Sequence, residues 1–261
     1  MREGDSMLWQ KSWWETRWGF LLYIGVTLLF AVWRPLEAQW VSSLQERALT
    51  WSEDSRRLLP LLSSHQGYVW SYWFKLSLLG MWPMYAVAQG VTFGSTSCPW
   101  MAGGHGAAGL FTFSLPISRR RVLLTHAAIV AVEMMLVALA PSLLFPIVSY
   151  MTGGDVPFGA TVIYALLLSL GGMVFPSFSI LLTAVFNNQW KVLVIGIAVV
   201  FALFFPILLA EEFPWWNVYH VMSGETYFRY GRIPWFGLLA SLGASALMTL
   251  VAVRIYERRD Y

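Results

Sequence analysis

The sequence predicts an all-α, polytopic membrane protein with six transmembrane helices. Two observations carry that expectation. Of 261 residues, 57% are hydrophobic and only 12% charged, with 15 Trp and 17 Phe. A soluble domain of this length has no interior large enough for so much apolar surface. The apolar residues also fall in runs that approach the roughly 20 helical residues needed to cross a hydrocarbon core. No polar stretch is long enough for a separate soluble domain, so residues 1–261 read as one transmembrane domain. Within it, 1–18 is expected as an interfacial helix, 19–255 as the six-span bundle and 256–261 as a cytoplasmic tail.

The first element is "MLWQKSWWETRW", where Trp9, Trp13, Trp14 and Trp18 alternate with Lys11 and Arg17. Aromatic and basic residues mixed at helical spacing suit a helix lying in the headgroup region. The apolar run at 19–33 follows with no small-x-small cleavage site behind it, so it reads as a retained span. The six spans are expected near 19–34, 68–93, 122–149, 157–186, 192–210 and 235–253. Between the first two, Leu36, Trp40, Leu44, Ala48, Trp51, Leu58 and Leu62 recur at steps near 3.6, with charges between them. That pattern predicts an amphipathic helix in the first outer connection. The stretch from Glu211 to Gly237, rich in aromatics and turn formers, dips into the outer interface without crossing twice. Pro83, Pro141, Pro146, Pro176 and Pro206 each remove a backbone donor within a span, which bends the helix.

An even number of spans places both termini on one side. With the termini cytoplasmic, the inner segments hold ten of the 17 basic residues: Arg2, Lys11, Arg17, Arg119, Arg120, Arg121, Lys191, Arg254, Arg258 and Arg259. The outer segments hold six, and Lys75 falls within the second span. The tight clusters are all inside, which fits a cell-membrane protein with both termini in the cytoplasm.

Chemistry-bearing motifs are few. "GHGAAG" at 104–109 satisfies G-x-G-x-x-G, but no strand precedes it and no βαβ unit surrounds it. No phosphate-binding G-x-x-x-x-G-K-[ST] loop occurs, so this chain alone does not bind ATP that way. His65, His105, His126 and His220 have no metal-ligand spacing, and Cys98 is the single cysteine, which excludes an internal disulfide. No catalytic residue and no metal site is expected. The net charge of +3 is scattered or at span ends, which argues against nucleic acid as a partner. "GASA" at 243–246 reads as a small-residue packing face rather than a serine nucleophile, because no histidine sits at a matching depth. His126 and Glu133 are seven apart and share a helical face, and His126 is expected at the inner interface beside the arginines. Glu133 lies near mid-membrane, where a carboxylate is costly unless it meets a partner or a cavity. Lys75, about 10 Å deep from the outside on the antiparallel second span, is its candidate partner, with snorkelling to the surface the alternative.

The most specific stretch is "FTFSLPISRRRVLLTH" at 111–126. Pro116 breaks the chain out of the preceding helix, and Ser118 stands where it can cap the next one, which opens with Arg119, Arg120 and Arg121. This stretch resembles the Leu-Ser-Leu-Pro-Val-Ser-Arg signature of ABC-2 type transporter permeases, the transmembrane subunits of type V-like ABC exporters. The matching residues are Phe113, Ser114, Leu115, Pro116, Ile117, Ser118, Arg119, Arg120 and Arg121. The order of elements and the "RIYERRDY" ending resemble the family as well. The chain departs from it at His105, Gly106 and Ala107, where the family often has an acidic residue and Gly-Thr, and at His126, where it often has lysine.

The resemblance implies that residues 113–121 form a cytosolic coupling helix docking on an ATP-binding subunit. It implies a second permease chain, identical or related, and two copies of an ABC ATPase, which binds ATP and Mg while this chain holds no cofactor. The implied activity is export by alternating access, with membrane lipid surrounding the pathway and no enzymatic step in this chain. The aromatic outer segments suit an amphipathic or lipid-like cargo. Two alternatives differ in class: a non-transporting assembly passing mechanical force from an ATPase to an outer partner, and a membrane-embedded enzyme.

Overall fold

A computed structural model describes residues 3–48, 75–92, 118–152, 156–186, 188–205, 214 and 216–258. Every regular element among them is a helix. In chain order these are α1 (Glu3–Ala48), α2 (Lys75–Thr92), α3 (Arg119–Met151), α4 (Phe158–Gly172), α5 (Val174–Val185), α6 (Gln189–Phe204), α7 (Val218–Met222), α8 (Glu225–Tyr230) and α9 (Trp235–Arg258).

Four stretches are long and apolar enough to cross a membrane: Thr16–Trp33 of α1, Arg120–Met151 of α3, Phe158–Val185 across α4 and α5, and Trp235–Arg258 of α9. The protein is therefore an all-helical chain whose long apolar helices suit a membrane. The other two expected spans are helical over part of their range, as α2 and α6. Residues 68–74 of the expected second span and 206–210 of the fifth lie outside the described residues.

The interfacial helix expected over 1–18 is not a separate element. Residues 3–48 form one helix of 46 residues, about 69 Å at 1.5 Å per residue, more than twice a 30 Å hydrocarbon core. An in-plane helix turning into a span needs a break, and no proline stands between Trp9 and Trp33 to make one; Gly19, at the expected boundary, stays helical. The first part of the amphipathic segment expected at 36–62 continues the same helix to Ala48, and the remainder is outside the described residues.

The span expected at 157–186 is helical but divided at Met173. The cause is Pro176. Its ring excludes the carbonyl four residues earlier, that of Gly172, where α4 ends. Ser177 N–H then donates to Met173 O at 3.4 Å and restarts the ladder as α5. Pro83, Pro141 and Pro146 sit inside α2 and α3 without ending them.

One buried cluster joins most of the helices: Phe20 and Ala31 of α1, Trp82 and Ala86 of α2, Met134 and Phe145 of α3, Tyr164 of α4, Phe175 of α5, Val200 of α6 and Tyr219 of α7. Close approaches depend on glycine. A Cβ on Gly172 would lie 2.2 Å from Cζ3 of Trp82, and one on Gly196 would lie 2.5 Å from Cγ1 of Val87. Trp82 also donates from Nε1 to the Met134 carbonyl at 3.2 Å.

A second cluster packs the start of α3 (Leu123) against the ends of α5 (Ile180, Ala184) and α9 (Ala252, Val253, Tyr256). Gln89 near the end of α2 reaches Thr16 near the start of the α1 apolar stretch. These helix ends therefore gather at one end of the bundle. Arg120, Arg121, Lys191, Arg254 and Arg258 are exposed there. Between α6 and α9, α7 turns inward. Asn217 opens it by accepting from Tyr219 N–H at 3.0 Å while its amide donates to Leu203 O at 2.6 Å. Tyr219 and Met222 are buried in the main core.

Candidate functional site: a buried polar cluster beside a basic helix start

Glu133 and His126 face inward from α3, each 1% exposed. Apolar residues on both sides of them, Ile129, Val130, Met134 and Val137, are buried on the same helix. The sequence puts these two polar groups on the core-facing stripe, and the bundle closes over both.

The Glu133 carboxyl is held from two other helices. Oε1 meets the Thr16 hydroxyl of α1. Oε2 accepts from the Tyr85 hydroxyl of α2 at 3.4 Å. Tyr85 in turn accepts from Gln89 Nε2, one helical turn further along α2. The same Gln89 amide lies 3.4 Å from the Thr16 carbonyl oxygen, which closes the ring. Tyr23 of α1 stacks on Tyr85, ring centroids 4.3 Å apart and 14° from parallel. Gly19 makes room for this: a Cβ there would come within 3.3 Å of Gln89 Nε2. Three helices are thus joined through one carboxyl.

His126 follows the exposed arginines on α3, and its side chain is buried. Its ring is buried against the Gln89 main chain. Five residues, roughly one and a half turns, separate Arg121 from His126, and Gln89 near the end of α2 packs against the imidazole. Lys75 is the first residue of α2, ten residues or about 15 Å along the axis from Tyr85. Its side chain lies outside the described residues; among those described, the Glu133 carboxyl meets the hydroxyls of Thr16 and Tyr85.

Of the coupling stretch, Phe113, Ser114, Leu115, Pro116 and Ile117 are outside the described residues. Ser118 occupies the N-cap position of α3 with extended backbone, φ −63° and ψ 132°. Its side chain makes no capping hydrogen bond, contrary to expectation; its carbonyl accepts from Arg121 N–H at 2.9 Å. Arg120 and Arg121 are exposed on the first turn of α3. Seven residues separate Ser118 from His126, so the basic start of α3 leads directly into the Glu133 cluster.

At the start of the α1 apolar stretch, the Arg17 guanidinium carbon lies 3.3 Å from the Trp14 ring centroid and 5.2 Å from that of Trp18. Both indoles are exposed. The "GASA" segment on α9 is a packing face: Ser245 Oγ is 2.6 Å from Ser177 Oγ of α5, and Thr249 donates to Ser177 at 3.3 Å. No group of three or more His, Cys, Asp or Glu able to hold a metal occurs among the described residues.

His126 with Glu133 was legible as one helical face, and Tyr85 with Gln89 is a similar i, i+4 pair. Thr16 carried no signal, because a threonine in an aromatic amphipathic segment looks like any other polar position. A scan of protein-family models, a search of curated proteins and a search of solved structures found no match to this chain.

Proposed function

We propose that this protein is the transmembrane permease subunit of an ATP-driven exporter. It works as a pair of permease chains with two copies of a separate ATPase, both termini in the cytoplasm. The observation that supports the reading is the Ser-Leu-Pro-Ile-Ser-Arg-Arg-Arg stretch, whose last residues open α3 with two exposed arginines.

Residues 113–121 form the docking element on the ATPase, and a push there acts along α3. That helix has 33 residues, about 50 Å, enough to cross the bilayer. Hydrophobic coupling is supplied by Leu115 and Ile117, and the arginine fork suits carboxylates of the partner. Alternating access then amounts to a shift between two packings of the bundle, biased by ATP in the partner. The exposed Trp-rich start of α1 lies against lipid headgroups.

Affinity purification in mild detergent tests this. The wild-type chain retains an ATP-hydrolysing subunit, and the double variant Leu115→Asp/Ile117→Asp inserts normally but releases it. Retention of the subunit by the double variant refutes docking at 113–121.

A further inference from the structure

Arg17 stands where α1 enters its apolar stretch, Thr16–Trp33. Around it the helix has two faces. Ser12, Thr16 and Phe20 are buried in the bundle, while Trp14, Trp18, Leu21 and Leu22 are exposed on the other side. The Arg17 guanidinium carbon is 3.3 Å from the Trp14 ring centroid and 5.2 Å from that of Trp18. At the shorter distance the two flat groups must lie face to face. The indole then covers one face of the cation and leaves its N–H donors around the rim. Nε is shut off from solvent and meets no acceptor among the described residues. A buried donor left in that condition costs free energy until an acceptor arrives.

The depth of Arg17 names the acceptor. Trp9, Trp13, Trp14 and Trp18 are exposed along the same stretch, as residues at headgroup level are. The anion that a bilayer holds at that level is the lipid phosphodiester, whose free oxygens match the edge of a guanidinium. We propose that Arg17, stacked on Trp14 and flanked by Trp18, binds the phosphodiester of one membrane lipid. The acyl chains of that lipid run along the exposed Leu22 and Leu29 of the same helix. The neighbouring residue, Thr16, joins α1 to Glu133 of α3 and to Gln89 of α2. A lipid held at Arg17 therefore fixes the depth of α1 and steadies those contacts. The inference needs only that the apolar helices lie in a membrane, and it stands whether or not an ATPase docks at 113–121.

Thermal unfolding of the delipidated full chain in a nonionic detergent tests this, titrated with dioctanoyl phosphatidylglycerol. Dioctanoylglycerol has the same chains without the phosphate, and inorganic phosphate is the anion without the chains. The wild-type melting temperature should rise saturably with the phospholipid and with neither of the others. Arg17→Gln should raise the half-saturating concentration about tenfold or more, the loss of one charge-assisted pair. Arg258→Gln removes the same charge from another exposed arginine and should leave that concentration unchanged. No rise with the phospholipid overturns the proposal. So does an equal rise with dioctanoylglycerol, which would mark apolar burial alone, or with inorganic phosphate, which would mark a soluble-anion site. Wild-type affinity in Arg17→Gln, or an equal loss in Arg258→Gln, overturns it as well. Should Arg17→Gln fail to fold, Arg17→Lys carries the test. It keeps the charge but loses the flat fork, so it should bind the phospholipid more weakly than wild type, and wild-type affinity there overturns the proposal.

Discussion

At the scale of single residues, polar side chains in this bundle do two different jobs. Ser245, Ser177 and Thr249 tie α9 to α5 by short hydroxyl contacts. Interhelical hydrogen bonds of this kind average about 0.6 kcal/mol within a bilayer. Ser245→Ala should therefore cost about that much in a chemical-denaturation titration, and a loss of several kcal/mol would mean the serine does more than pack. Asn217 has a heavier task. Its side chain opens α7 and donates to Leu203 O at 2.6 Å, fixing an inward-turned segment to the end of α6. Asn217→Ala should destabilise by about 1–2 kcal/mol, the cost of a lost cap. A thermal shift in nanodiscs no larger than that of an exposed control such as Gln10→Ala would refute this. Glu133 differs again, since its surroundings come from three helices and no local sequence pattern announces them. The sequence showed that the residue was unusual by depth alone, and it pointed to Lys75 because a lysine is the obvious partner of a carboxylate. The hydroxyls of Thr16 and Tyr85 carry no charge to read, so that part of the site was illegible.

At the scale of elements, the helical nature of the chain and the order of its apolar segments were legible because both follow from composition and run length. Boundaries were less so. Pro176 was read as a bend, and it divides the fourth expected span because Gly172, at the carbonyl its ring excludes, is also pressed against Trp82. The amphipathic stretches flanking 19–34 were read as separate helices, since a change in surface chemistry resembles a change of element. A helix passing from headgroups into hydrocarbon and out again shows the same change without any break. Packing at this scale rests on close approaches at Gly172, Gly196 and Gly237. Gly172→Ala should cost about 1–3 kcal/mol, because Trp82 is fully buried and has nowhere to move. Gly243→Ala is the control: nothing lies within 4 Å of its Cβ, so the change should be neutral or stabilise α9 by up to about 1 kcal/mol. Equal melting temperatures for the two variants would contradict this account of the α2–α4 contact.

At the scale of the whole molecule, the chain orders its helices so that the start of α3 and the ends of α2, α5 and α9 meet at one end. Exposed basic residues cluster at that end, which agrees with the proposal that it faces the cytoplasm. Cysteines introduced at Ser52 and Ser223, in a Cys98→Ser background, should then react with an impermeant maleimide on intact cells. Labelling only after permeabilisation would invert the orientation. The exposed apolar surface is extensive, including Leu22, Leu29, Phe236, Leu239 and Leu247, as lipid contact requires. What ties the whole together is the proposed path from residues 113–121 through the arginines into α3 and the carboxyl that joins three helices. The most direct test of that path is Mg-ATP hydrolysis by the purified complex in liposomes, wild type against Leu115→Asp/Ile117→Asp. The account predicts hydrolysis with the wild-type chain and a fall to the level of empty liposomes with the double variant. Equal hydrolysis by the two, or none with the wild-type chain, would contradict it.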